Sequence, residues 1–247
     1  MLNKLKIKYI QSLSQKKLRE KEGLFIAEGP KTVEEILGAP NVQASEILAT
    51  NSWIRQNLHW KQRLAENLVE ITDDELDRIS SLQTPNQVLG LFRQPVFGPL
   101  EPDNKVSLML DGIQDPGNLG TIIRCADWFG IPNIICSVDC VDVFNSKVVQ
   151  STMGSICRVQ VLYRDLITFI REHSSIDVYA ASLEGDDVTN HPTITKGIIL
   201  IGNESKGISA DLLAVVNHRI TIRRKGNAES LNAAVATGII LSHLVRW

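Results

Sequence analysis

The hydrophobic pattern divides the chain into two parts. In residues 1–95, short apolar runs alternate with helical patterns, beginning with a basic helix near residues 3–20. A second helix is predicted to start at Thr72, because Glu75 follows it at the spacing of a capping box. The other predicted elements are strands over 23–28, 44–49 and 87–92 and a helix over 32–37.

From residue 106 onward, short and almost continuously apolar strands alternate with longer helical segments. Strands of this kind are buried on both faces, which predicts an α/β domain around a mostly parallel sheet. Ligands of such sheets bind beyond the carboxyl ends of the strands. The strands are predicted over 106–110, 133–137, 158–162, 177–181, 198–201 and 219–222.

A proline-rich stretch separates the two patterns. Residues 95–103 hold three prolines and one glycine, a composition typical of a linker. The predicted organisation is a small α/β substrate-binding domain over 1–95, a linker over 96–103 and a larger α/β domain over 104–247.

Composition narrows the classes of protein. The 247 residues are 43% hydrophobic and 22% charged, with a net charge of −2, as in a globular protein. No apolar run approaches the roughly 20 residues of a membrane span, and the first residues are too polar for a secretory signal. The four cysteines form no CxxC pair, so we expect reduced thiols in a cytoplasmic protein, without a zinc site or other metal.

The N-terminal segment carries a local excess of positive charge. Eight basic and three acidic residues lie between Lys4 and Lys31. One interpretation is a solvated helix face; the other is a surface for RNA. The residues that we predict to contact RNA here are Lys16, Lys17, Arg19 and Lys31.

Three strand-end motifs carry the candidate chemistry. In the first, residues 110–124, a strand enters a glycine-containing loop and a helix opens near Asn118, with Arg124 six residues later. This loop is neither a Rossmann GxGxxG nor a phosphate loop with its lysine. Taken alone, Arg124 is more typical of a surface ion pair.

In the second motif, residues 198–209, an apolar strand ends at Gly202, and Glu204 follows after one residue. Taken alone, this is also a common junction between a strand and a helix.

In the third motif, residues 220–236, a strand enters a basic loop that contains Arg223 and Arg224, which we also predict to contact RNA. Ser230 is predicted to cap the following helix. Asn232 would then lie just inside that helix, where asparagine is disfavoured, so capping alone does not explain it.

The three motifs together, in this order, resemble the SpoU (TrmH-type) family of SPOUT RNA methyltransferases. The resemblance covers residues 104–247, and residues 1–95 are similar to the family's substrate-binding extension. It implies a C-terminal trefoil knot and a homodimer that uses the C-terminal helix, predicted over 231–244 and followed by Trp247. One departure is Arg223-Arg224, where the family usually has Pro-Met.

The resemblance also implies the reaction and the site. The expected activity is transfer of a methyl group from S-adenosyl-L-methionine to a ribose 2′-hydroxyl of RNA, without a metal. The residues implied in donor binding are Leu183, Ile201, Gly202, Ile222 and Leu231. The residues implied at the catalytic end are Asn118, Arg124, Glu204, Ser230 and Asn232.

A ribose hydroxyl is a weak nucleophile, so methyl transfer requires proton removal and in-line placement. A guanidinium is a poor base, and Arg124 is better suited to stabilise the forming alkoxide. Two alternatives remain at this point: a SPOUT enzyme that methylates an RNA base, and an RNA-binding protein without catalytic activity. The two-domain layout favours rRNA over tRNA, by analogy alone.

Overall fold

The computed structural model describes residues 2–246, which divide into two compact units. The first unit contains the residues up to Phe97 together with Phe144–Cys157, and the second contains Gly98–Val143 and the residues from Arg158 onward. The strands are β1 (Leu24–Glu28), β2 (Ala44–Thr50), β3 (Leu68–Ile71), β4 (Val88–Arg93), β5 (Val106–Asp111), β6 (Asn133–Cys136), β7 (Gln160–Tyr163), β8 (Val178–Asp187), β9 (Gly197–Gly202) and β10 (His218–Thr221). The α-helices are α1 (Lys4–Ser12), α2 (Lys16–Glu22), α3 (Pro30–Leu37), α4 (Asn51–Gln56), α5 (Leu58–Leu64), α6 (Asp73–Ile79), α7 (Pro116–Trp128), α8 (Ser146–Thr152), α9 (Leu166–Glu172), α10 (Ala210–Leu213) and α11 (Ala233–Leu244).

The first unit is built on a four-stranded mixed sheet in the order β1-β4-β2-β3. Strands β2 and β3 are parallel, and β4 is antiparallel to both of its neighbours. Helices α1 and α6 pack on part of this sheet, and the core that they share with it includes Ile10, Leu13, Leu48 and Leu89. The predicted capping box opens α6, where the Thr72 side chain accepts from the Glu75 backbone and the Glu75 carboxylate accepts in return.

The basic helix predicted over 3–20 is two helices with a break at Leu13–Gln15. The hydroxyls of Ser12 and Ser14 donate to the carbonyls of Tyr9 and Gln11, and such local bonds compete with helix continuation. Leu13 itself is buried, so the chain turns inward at this point.

Residues 144–157 pack with the first unit, although the sequence analysis assigns them to the domain over 104–247. Phe144 stacks on Phe25 of β1, with the ring centroids 5.2 Å apart. The Asn41 side-chain amide donates to the Cys157 carbonyl at 2.9 Å. These contacts are long-range, and no local pattern in the sequence indicates them.

The second unit contains a six-stranded sheet in the order β10-β8-β9-β5-β6-β7. The strand pairs described between residues 106 and 221 are parallel, which confirms the predicted α/β architecture. Its core combines strand residues such as Met109 and Leu200 with Phe169 of α9. The trefoil knot implied by the resemblance stays a prediction.

The pairing of strand β8 with β10 is interrupted by a bulge that the sequence pattern does not indicate. Ala180 pairs with Arg219, but the next residue of β10, Ile220, pairs with Asp186. Residues 181–185 therefore bulge from the ladder. Gly185 closes the bulge against β10, where a Cβ atom would lie 2.6 Å from the Arg219 carbonyl carbon.

Over residues 2–246, no helix has the combined length and apolar character of a membrane span. Trp247, which formed part of the dimer prediction, lies outside the described residues.

Candidate functional site

The candidate site lies at the carboxyl ends of β5 and β9, the central strands of the parallel sheet. Asp111 and Gly202, the last residues of the two strands, pair directly with each other. The Asp111 carboxylate accepts a hydrogen bond from the Ser209 backbone at 2.8 Å. The loops of the first and second motifs therefore leave the sheet side by side, as the rule for parallel sheets predicts.

Asn203 holds these two loops together, and the sequence analysis did not single it out. Its side chain donates to the Gly112 carbonyl at 2.7 Å and accepts from the Ser205 and Lys206 backbones. Its backbone exchanges two hydrogen bonds with Gly207. An asparagine immediately after a strand end, at the start of a turn, is the signal that could have identified it.

Gly202 is required by the close approach of the chain to itself. A Cβ atom at this position would lie 2.4 Å from the Gly207 carbonyl carbon and 2.5 Å from the Ile208 nitrogen. The glycine thus permits the tight turn over 203–207, and that turn places Glu204 at the mouth of the site.

Three of the five predicted catalytic side chains form one hydrogen-bonded chain. Asn232 donates through Nδ2 to Oδ1 of Asn118 at 2.8 Å. Asn118 in turn donates through Nδ2 to Oε1 of Glu204. The direction of donation assigns the orientation of both amides, since each must act as the donor toward the next acceptor.

The position predicted for Asn232, just inside the helix, is wrong, because Asn232 is the N-cap of α11. Its Oδ1 accepts from the Ala234 and Val235 backbones at 3.0 and 3.2 Å. Asparagine is among the best N-cap residues, and capping leaves its amide nitrogen available for Asn118. The cap predicted at Ser230 is likewise absent, and Ser230 lies exposed in the preceding loop.

Arg124 lies on the same helix as Asn118. Helix α7 begins at Pro116, after an N-cap at Asp115 whose side chain accepts from the Asn118 backbone at 2.8 Å. Asn118 therefore occupies the first turn and Arg124 the third. The Arg124 side chain is exposed, and within residues 2–246 it makes no hydrogen bond or ion pair. It is thus available to an anionic ligand.

The candidate donor-binding residues occupy different environments. The Thr221 hydroxyl donates to the Leu183 carbonyl at 3.3 Å, which places Leu183 next to the chain at Ile222. Leu183 is 75% exposed and Leu231 is 46% exposed. Ile201 is buried in the sheet, so its side chain belongs to the core and only its backbone can face a ligand.

The basic residues of the third motif stabilise their own loop. Nε of Arg223 forms an ion pair with Asp187 at 2.9 Å, and Arg224 donates to the Ala228 carbonyl at 2.9 Å. Both side chains lie on the surface. The salt bridge is exposed on the Arg223 side, so it contributes little to stability.

The RNA-contact prediction for Arg19 requires correction. Arg19 is only 4% exposed, and its guanidinium donates to the Leu13 and Ser14 carbonyls at 2.9 and 2.7 Å. It therefore satisfies the carbonyls at the break between α1 and α2. Lys16 is exposed but paired with Glu20 at 3.8 Å, while Lys17 and Lys31 are exposed.

A buried polar cluster supports the first loop, and the sequence analysis did not find it. Ser137 accepts from the Gly112 backbone at 2.9 Å, and the Cys140 sulfur accepts from the Ile113 backbone at 3.2 Å. A hydrogen bond from Cys136 lowers the pKa of the Cys140 thiol to about 7, with further contributions from Ser137 and Ile113. The same interaction raises the pKa of Cys136.

Metal-ligand groups of three or more His, Cys, Asp or Glu side chains do not occur within residues 2–246.

Comparison with known proteins gives consistent matches along the chain. The SpoU rRNA methylase family matches residues 105–242, and the MRM3-like substrate-binding domain matches residues 4–90. The 23S rRNA (guanosine(2553)-2′-O)-methyltransferase RlmP of Bacillus subtilis is 31% identical over 97% of this chain and 95% of its own length.

Two solved structures agree in fold over almost the whole chain. A putative RNA methyltransferase of the TrmH family from Porphyromonas gingivalis is 34% identical, with a TM-score of 0.84 over 99% of this chain and 98% of that one. An rRNA methyltransferase from Sinorhizobium meliloti with bound AdoMet is 29% identical, with a TM-score of 0.85 over 98% and 95% of the two chains. The resemblance seen in the three motifs is thus confirmed, and the chain belongs to the SpoU rRNA methylase family.

Proposed function

We propose that this chain transfers the methyl group of S-adenosyl-L-methionine to a ribose 2′-hydroxyl of rRNA. The observation that carries this proposal is the hydrogen-bonded chain Asn232–Asn118–Glu204, whose middle residue lies on the helix that also bears the exposed Arg124. These groups can orient a hydroxyl and stabilise negative charge on it, and methylation of a hydroxyl requires both.

The residues at the strand ends fit the methyl donor. Leu183 and Leu231 leave apolar surface exposed, which suits an adenine ring, and the turn after Gly202 offers backbone groups for its polar edge. When bound, the donor supplies an electrophilic methyl group. The S. meliloti relative, named as an AdoMet-bound rRNA methyltransferase, supports this assignment.

Asn118 and Asn232 are positioning residues in this proposal. Asn232 is anchored by its cap on α11, so it cannot rotate without losing two backbone hydrogen bonds. It therefore holds Asn118 in one orientation, and Asn118 holds one oxygen of Glu204. The second carboxylate oxygen accepts no hydrogen bond within residues 2–246 and can receive a substrate hydroxyl.

Arg124 is the candidate for charge stabilisation. A guanidinium keeps its proton at neutral pH, so it acts on a forming alkoxide or a neighbouring phosphate through charge and hydrogen bonds. Preorganised donors of this kind account for roughly a hundred- to a thousandfold in rate in other enzymes. Ser230, in the exposed loop before α11, is proposed to contact the substrate there.

The substrate is proposed to be rRNA rather than tRNA. RlmP, similar over nearly the full length of both chains, is named for a 23S rRNA guanosine, and the first unit matches a substrate-binding domain. A guanosine of the large-subunit rRNA is therefore the first nucleotide to examine. An rRNA substrate and four free cysteines favour the cytoplasm as the place of action.

A homodimer through the second unit completes the proposal. Val235 of α11 is 52% exposed, and Trp128 at the end of α7 is 81% exposed. Helices α7 and α11 pack against each other, so both side chains belong to one helical layer. A symmetric contact would cover the same apolar patch on each copy.

The test is methylation of rRNA from a strain that lacks the gene. Purified protein, labelled donor and this rRNA are incubated, and the RNA is digested to nucleosides. The proposal predicts label in a 2′-O-methylnucleoside, and primer extension at low nucleotide concentration then locates it. Label in a base would instead assign base methylation, and donor binding without any RNA product would contradict the enzymatic proposal.

A further inference from the structure

The first unit contains a basic groove that the sequence analysis did not predict. It lies between α1 and α6 and is lined by Lys4, Ile7, Lys8, Gln11 and Arg78. Arg78 is separated from the lysines by some seventy residues of sequence, so only the fold brings these charges together. All five residues lie within the region that matches a substrate-binding domain.

Hydrogen bonds fix the two helices that form the walls of the groove. The Gln11 side-chain amide donates to the Arg78 carbonyl at 2.8 Å, which ties the end of α1 to the last turn of α6. Thr72 and Glu75 form the capping box that fixes the other end of α6. Neither contact uses the charged ends of Lys4, Lys8 or Arg78.

These three cations are not neutralised by the protein. Within residues 2–246 none of them forms an ion pair, and no acidic side chain lines the groove. Asp74, one helical turn before Arg78, and Asp77 are exposed and lie outside the lining. By contrast, Lys6 on another face of α1 pairs with Glu46, and Lys16 of α2 pairs with Glu20. Unpaired positive charges that share a groove repel one another, and a bound polyanion removes that repulsion.

We propose that this groove binds the phosphate backbone of the rRNA substrate. Lys4 and Lys8 are one helical turn apart and can contact successive phosphates, and Arg78 can hold a phosphate from the opposite wall by a bidentate contact. Ile7 between them is 6% exposed and forms an apolar floor. This inference rests on the proposed function for the identity of the RNA, although it concerns affinity and not chemistry.

The experiment measures RNA affinity as a function of salt. The test protein carries Lys4→Gln, Lys8→Gln and Arg78→Gln, which remove charge and keep long side chains. The control protein carries Arg55→Gln, Lys61→Gln and Arg93→Gln, which remove the same charge from exposed positions of the same unit. The probe is a transcript of the large-subunit rRNA, and circular dichroism and thermal unfolding report whether each variant is folded.

Loss of three phosphate contacts should reduce the slope of log affinity against log salt by about 2, since each contact to single-stranded RNA contributes about 0.7. Affinity at physiological salt should fall at least about tenfold, while donor binding stays unchanged. A charge-preserving variant with Lys4→Arg, Lys8→Arg and Arg78→Lys should retain the slope of the wild type. This last variant shows that charge, and not a change of shape, is responsible.

The groove is not an RNA site if the slope of log affinity against log salt is the same in the test and control proteins. It is also not an RNA site if the test protein has the slope of the wild type. The outcome is independent of the methylation assay. If the groove variant loses RNA affinity but the wild type methylates no ribose, the groove stands and the proposed function fails.

Discussion

Asn232 donates a 2.8 Å hydrogen bond to Asn118 across 114 residues of sequence. The bond joins the N-cap of α11 to the first turn of α7, and Asn118 in turn donates a hydrogen bond to Glu204. Because each asparagine has one acceptor oxygen and one donor nitrogen, a change at Asn232 alters the hydrogen bond that Asn118 makes with Glu204.

Asn232 has two roles, as the N-cap of α11 and as the donor to Asn118, and a substitution can remove one without the other. Asn232→Asp keeps an oxygen for the N-cap, so the stability of the protein should stay within about 0.5 kcal/mol of the wild type. It removes the donor to Asn118, and the new carboxylate favours a flipped Asn118 amide that turns its oxygen toward Glu204. We expect methyl transfer to fall at least about tenfold, because small misplacements of reacting groups are costly.

Asn232→Ala is the matched comparison, since it should lower methyl transfer and also cost about 1 kcal/mol of stability through the lost cap. Thermal unfolding and single-turnover kinetics separate the two effects. An Asn232→Asp protein with the activity of the wild type would remove the hydrogen-bonded chain from the mechanism.

Arg124→Ala should lower methyl transfer by at least about a hundredfold, with little change in folding or donor binding. The side chain is exposed and makes no ion pair within residues 2–246, so its removal breaks no internal bond. Arg171→Ala, an exposed arginine of α9, is the control and should stay fully active. If Arg124→Ala is within a few-fold of the wild type in single-turnover assays, Arg124 has no role in the reaction.

Arg19→Ala should act on stability rather than on RNA affinity. Its guanidinium donates to two carbonyls at a buried break between helices, and loss of charged hydrogen bonds of this kind costs roughly 1.5–3 kcal/mol. Urea unfolding should show the loss, and the salt dependence of RNA binding should be unchanged in the folded fraction. A stable Arg19→Ala variant whose RNA affinity depends less on salt would instead indicate that Arg19 contacts RNA.

The parallel sheet and the motif residues at its strand ends could be predicted from the sequence, because burial on both faces produces continuous apolar runs. The short helices α4 and α5 were missed, since six or seven residues show too little of the helical period. The burial of Arg19 depends on a helix break made by local serine bonds, and the pairing of Phe144 with Phe25 depends on topology. Sequence spacing records neither relationship.

The thiols beneath the first loop should titrate as a coupled pair. The pKa of Cys140 is lowered to about 7 chiefly by the hydrogen bond from Cys136, so thiolate absorbance should rise as pH increases through about 7. Cys140→Ser should abolish this step. Cys136→Ala should move it to higher pH, because the thiolate loses its main donor. A step that stays near pH 7 in Cys136→Ala would contradict the assigned cause.

The folded-state pKa of Cys140 is lower than the ordinary thiol value of 9.0. The Cys140 thiolate therefore adds to the stability of the folded state as pH rises from about 7 to about 9. The raised pKa of Cys136 opposes that gain. The expected rise in unfolding free energy is therefore small, and Cys140→Ser should flatten it.

The last prediction concerns the proposed dimer. On α11, Val235 is half exposed and Ile239, one turn later, is partly exposed, whereas Ile240 and Leu241 are buried within the unit. The exposed apolar stripe is thus distinct from the face of α11 that is buried within the unit. Val235→Arg would place two like charges close together across a symmetric contact, which should convert the dimer to monomers. Leu58→Arg, at a comparably exposed apolar residue of the first unit, is the control and should leave the assembly unchanged.

Light scattering measures the mass, and methyl transfer is assayed at the same protein concentration. Because α11 also carries the Asn232 cap, we expect activity to fall together with the dimer. A Val235→Arg monomer with full activity would separate assembly from catalysis, and a Val235→Arg dimer would place the interface elsewhere.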